Sequence, residues 1–152
     1  MNLHSMLLEG REGILADAVA SVHRAHLAHY DLAATDTVRQ RLDDLLTLTL
    51  DALRDRTLAA VVAHAEAVAQ ARFEAGVDLV EVQTAYNVLE EILWRHILKE
   101  LPAAAQGEAL GLVGTALGAG KDALARKYVS LASRTHTPPL DLQALFSGTQ
   151  GL

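Results

Sequence analysis

No cysteine occurs among the 152 residues. Disulfides, thiol nucleophiles and thiolate metal sites are thereby excluded. Aromatic residues are scarce, at 4% of the chain, with two phenylalanines and one tryptophan. That is too few to fill the core of a β-sandwich or barrel. No apolar run reaches the ~18 residues that would mark a transmembrane helix. A basic segment followed by an apolar one is missing from the N-terminus, so no secretory leader is expected. Positive charge is also in deficit: 13 Lys and Arg stand against 19 Asp and Glu, for a net charge of −6. An acidic surface is a poor electrostatic match to nucleic acid or to an anionic membrane. The expectation is a soluble, cytoplasmic protein with neither as a partner.

What the chain does have is alanine and leucine. Hydrophobic residues make up 51% and mean hydropathy is +0.17. Both dominant residues favour helix. The length suits one domain with a substantial core. Period-2 alternation bounded by turn residues is not sustained anywhere, whereas helical periodicity runs through most of the chain. The fold class is therefore all-α, a single bundle of about five to six helices over residues 1–135, followed by a Pro-initiated tail over 136–152.

The first predicted helix runs from Glu12 to Leu32, marked by Ile14, Ala18, Val22 and Ala25, with a turn before it at Asn2–Leu8. Thr35 or Asp36 is an N-cap candidate for a second helix, to Arg54, with Leu42, Leu45, Leu46, Leu50 and Leu53 on its core face. Thr57 is an N-cap candidate for a third, to Ala75, and Gly76 fits the position just past its end. Asp78 followed by Glu81 resembles a capping box for a fourth. The main stripe of that helix is Leu79, Val82, Tyr86, Leu89, Leu93 and Ile97, and Pro102 stops it. A fifth spans Ala104 to Ser133, with a bend expected near its glycines. Short connections make neighbouring helices antiparallel.

Four features could carry chemistry. His23, His26 and His29 recur at three-residue spacing, so His29 has turned 240° from His23 and a shared metal face is not expected. His64 and His96 are isolated helical histidines, which admits a haem axial-ligand reading that nothing else supports. Arg72 falls on the apolar face of Leu58, Val61, Ala65, Val68 and Ala69. A guanidinium there requires an acceptor. It is either a structural brace to Glu90 or Glu91, a receptor for a ligand or partner carboxylate, or a side chain that snorkels to solvent. Gln83, Asn87, Glu90 and Trp94 lie within about 60° of each other on the fourth helix, beside Tyr86. They line a small pocket, a subunit interface, or the boundary between core and solvent. Gly107, Gly111, Gly114 and Gly118 recur at 4-3-4 spacing on the fifth helix. Each costs about 1 kcal/mol against alanine, so either tight packing within the chain or a close dimer contact is expected to offset them. No catalytic set emerges: GxSxG, phosphate-loop, HExxH and EF-hand patterns are missing. The adjacent pairs Asp43-Asp44 and Glu90-Glu91 do not face one another on a helix.

The run "ARFEAGVDLVEVQTAYNVLEEILWRHI" resembles the RsbR/RsbRD N-terminal domain family, sensory modules related to the RsbT co-antagonists of bacterial stress signalling. Arg72, Gly76, Leu79, Tyr86 and Leu89 fill the family's arginine, glycine, leucine and aromatic places, and "ALARKYVSLAS" fits downstream. The likeness covers about residues 10–133. "AYNVLEE" stands where many relatives carry "EYxxLR". Relatives commonly continue into a STAS or kinase module, so a stand-alone member or an isolated input domain is expected.

The resemblance implies a globin-like helical fold without haem or other cofactor, homodimeric and non-catalytic, that senses or relays a signal to a downstream protein. Gln83, Tyr86, Asn87, Glu90 and Trp94 would then contact a small molecule or the partner subunit. The competing expectations are an adaptor that docks through Leu140–Phe146 and a haem- or metal-binding globin-like protein.

Overall fold

Residues 2–25 and 35–136 are described in a computed structural model of the chain. Six helices occur among them and no strand: α1 Leu3–Glu9, α2 Arg11–Arg24, α3 Thr35–Asp55, α4 Ala59–Glu74, α5 Leu79–Glu100 and α6 Ala103–His136. The predicted N-terminal turn needs correcting. Asn2–Leu8 is not an open turn but a capped helix, because Asn2 Oδ1 accepts the Ser5 N–H at 2.8 Å and satisfies an otherwise orphaned donor. Gly10 separates α1 from α2, and the His96 ring packs where a Gly10 side chain would stand. Thr35 lies inside α3 rather than before it. The glycines leave α6 as one unbroken helix of 34 residues, roughly 50 Å long at 1.5 Å per residue. His26, His29, Leu32 and the tail with Pro138, Pro139 and Leu140–Phe146 lie outside the described residues.

The core follows from the apolar periodicity. Ile14, Ala18 and Val22 of α2 are buried, as are Leu42, Leu45, Leu46, Leu50 and Leu53 of α3 and Val82, Tyr86, Leu89, Leu93 and Ile97 of α5. Each fully buried leucine contributes about 1.5–3 kcal/mol through loss of apolar surface to water. Ala25, expected on the inner face, is exposed at the end of α2. The long α6 packs chiefly on α4 and α5, while α2 bridges α3 and α5.

The joint between α4 and α5 is closed by backbone hydrogen bonds around a left-handed glycine. Gly76 has φ +76°, a left-handed conformation that costs glycine little. The Val77 N–H donates to Arg72 O and the Gly76 N–H to Phe73 O, each at 3.0 Å. This pair of bonds is a Schellman motif. Asp78 is the N-cap residue as expected, but its half of the capping box does not form: its carboxylate makes no cap hydrogen bond, and only its carbonyl accepts the N–H groups of Glu81 at 3.1 Å and Val82 at 3.3 Å, the ordinary first bonds of a helix. Tyr128 of α6 latches the joint. Its hydroxyl donates to Val77 O at 2.9 Å, and its ring meets Phe73 edge-on at 5.7 Å.

Candidate functional site

The polar edge of α5 divides into two parts. Asn87 and Glu90 turn towards α6, where Lys121 Nζ donates to Asn87 Oδ1 at 2.8 Å and to Glu90 Oε2 at 3.3 Å. The Glu90 side chain is 16% exposed and that of Lys121 28%, so this pair is screened less than a surface ion pair. Gln83 is half-buried. Trp94 stands 43% exposed, and Leu98, one turn on, 54%. The edge is thus a clamp between helices in its middle and an exposed aromatic and aliphatic patch at its C-terminal end.

Tyr86 does not belong with that edge. It is buried at 3% exposure and backs onto α6, where a Cβ added at Gly120 would lie 2.7 Å from Tyr86 Cε1 and 3.2 Å from Val61 Cγ1. Gly120 is therefore the glycine at which α6 needs a missing side chain for close approach. At Gly107, Gly111 and Gly118 an added Cβ meets nothing within 4 Å, and at Gly114 it meets only Glu90 Oε1 at 3.7 Å. Tight packing within the described residues does not explain the 4-3-4 track.

Arg72 pairs with neither predicted acceptor. Glu90 is held by Lys121 and Glu91 by Arg95, one helical turn on. Among the described residues Arg72 makes no ion pair or side-chain hydrogen bond. It is half-buried and lines a pocket of about 160 Å³ where α3, α4 and α5 meet. Leu42 and Leu45 come from α3, His64 and Val68 share the α4 face with Arg72, and Val82, Ala85 and Tyr86 come from α5. Arg41 and the exposed Asp44 complete the lining. His64, Val68 and Arg72 are spaced at four residues, so they line one side of α4. The Nδ1 atom of His64 is buried and has no hydrogen-bond partner among the described residues. Burial pushes the His64 imidazole below its ordinary pKa, with the Asp44 charge acting weakly the other way. The side chain therefore favours its neutral form.

Arg72 and Tyr86 stand out in the sequence, but their grouping with His64 in one site does not. The signal was the i, i+4, i+8 spacing of His64, Val68 and Arg72 on a face that otherwise reads as core. No group of three or more acidic, histidine or cysteine residues suited to a metal occurs among the described residues.

The family model for the RsbT co-antagonist protein rsbRD N-terminal domain matches residues 13–137. The chain belongs to that family. No curated protein and no solved structure matches it. The matched span runs from within α2 to the end of α6, so it includes the Lys121 clamp, the exposed Trp94 patch and the pocket. No described helix is long and apolar enough to cross a membrane.

Proposed function

We propose that the chain is a non-catalytic, cytoplasmic input domain of bacterial stress signalling that works as a homodimer, senses a small ligand and relays its state to a downstream protein. The observation that carries this reading is the family match over residues 13–137. Two surface features support the dimer. Trp94 and Leu98 leave a patch on α5 uncovered, and tryptophan is a frequent anchor of interfaces. The glycine track on α6 presents a strip where Gly107 and Gly111 are exposed and another backbone could approach closely.

Sedimentation or light scattering at high micromolar concentration tests the reading, with native mass spectrometry reporting any retained small molecule. A dimer is expected. Trp94→Arg should shift the equilibrium towards monomer while leaving helical content unchanged. A clean monomer for the native chain at that concentration contradicts the dimer.

A further inference from the structure

We propose that the pocket between α3, α4 and α5 binds a small organic monocarboxylate, with the Arg72 guanidinium and the His64 Nδ1–H as its anchors. This deepens the sensing part of the functional reading by naming a site and a ligand class. Three observations carry it. Arg72 is a half-buried cation with no acceptor among the described residues, although burial ordinarily demands one. His64 Nδ1 is a buried polar atom without a hydrogen bond, and such atoms are rare enough to need an explanation. Both line the same pocket.

The geometry suits one ligand bridging the two groups. Arg72 and His64 lie eight residues apart on α4, about 12 Å along the axis. Helical side chains lean towards the N-terminus, so Arg72, the longer of the two and the more C-terminal, is the one with reach to span part of that separation. A carboxylate set between them can take the planar fork of the guanidinium on one side. A neutral imidazole can still donate from Nδ1 to the same group. Apart from the two anchors and Arg41 and Asp44, the lining is supplied by Leu42, Leu45, Val68, Val82, Ala85 and Tyr86, a largely apolar wall that calls for a hydrocarbon body. A volume of about 160 Å³ is close to that of a cavity that accepts benzene, about 150 Å³, which sets the size at a single ring or a short branched chain. The Arg72 guanidinium, with no acceptor among the described residues, carries one positive charge, which a monoanion matches. A dianion such as inorganic phosphate would match neither this charge nor the apolar wall.

The test is calorimetric titration of the full chain with benzoate, phenylacetate and isovalerate, with benzyl alcohol and inorganic phosphate as controls. At least one of the carboxylates is expected to bind saturably, one per chain, while the controls do not. Arg72→Met should weaken binding roughly tenfold or more, as expected for loss of a charged hydrogen bond. Ala85→Leu should abolish it by filling the pocket while keeping every charge. Circular dichroism checks that both variants fold. If none of the three carboxylates binds, or if Arg72→Met and Ala85→Leu bind as well as the native chain, the proposal is overturned. That failure would leave the dimer and the signalling reading standing. Binding in the pocket with no change in dimerisation or partner capture would uphold the site and overturn its sensing role.

Discussion

The two polar groups beside α5 differ in how their charges are treated. On the α6 side, Lys121 meets both Asn87 and Glu90, and the charges are spent on holding two helices together. On the α4 side, Arg72 and His64 Nδ1 reach no partner among the described residues, and their cost is not offset by any contact there. A satisfied cluster explains itself as structure. An unsatisfied one within a pocket is where a protein stores binding capacity at the expense of stability. The difference between them separates scaffold from candidate site without any appeal to motif.

The shared wall between the two sides offers the largest effect. Tyr86 lines the pocket and its ring lies against Gly120. Gly120→Val should destabilise the chain by about 2–3 kcal/mol, because overpacking a close contact forces backbone or ring to shift. Thermal unfolding followed by circular dichroism would show it. An unchanged midpoint would mean that α6 is free to move away from α5.

Breaking the clamp comes next. Lys121→Met should cost about 1–2 kcal/mol in urea unfolding, since it strands a largely buried carboxylate. Adding Glu90→Gln to that variant should restore part of the loss, because the stranded group is then neutral. A loss that the second change does not reduce would point to packing rather than charge.

A smaller effect of opposite sign is expected on the glycine strip. Gly111→Ala should gain about 0.5–1 kcal/mol in the isolated chain through helix propensity, as nothing lies within 4 Å of the new Cβ. The same change should weaken the proposed dimer if the strip is its contact, which dilution-dependent sedimentation would reveal.

The smallest effect is a pH dependence confined to the pocket side. Burial lowers the His64 pKa from its ordinary 6.5, so the unfolded chain takes up that proton more readily than the folded one. Stability is then lost as pH falls from about 6.5 through the folded-state pKa, and above 6.5 this contribution is constant. The native chain should lose stability relative to His64→Gln over that window. Partial exposure keeps the difference modest. A parallel pair of stability curves would contradict it.

Much of the scaffold was legible from local pattern. Gly76, Pro102 and the leucine stripe of α3 each act within a few residues, so their consequences can be read from spacing alone. The short α1 was harder, because a single Asn2–Ser5 cap bond decides between turn and helix. The candidate sites were least legible. Lys121 lies 31 residues from Glu90 along the chain, and no local rule favours it over Arg72 as the partner. The pocket draws on three helices, so Arg72 could be recognised as anomalous on an apolar face while its companion His64 could not. The glycine pattern misled in detail: regular spacing drew attention to Gly107, Gly111, Gly114 and Gly118, while the close contact belongs to Gly120, one step off the track.

The contrast between the two sides can be measured directly by comparing Arg72→Met with Lys121→Met in urea unfolding of the ligand-free chain. Lys121→Met is expected to lower the unfolding free energy by about 1–2 kcal/mol, whereas Arg72→Met should change it by less than about 0.5 kcal/mol or raise it, as an unpaired half-buried cation is removed. An Arg72→Met loss as large as that of Lys121→Met would show that Arg72 is a brace after all and contradict the assignment of the pocket side as a site.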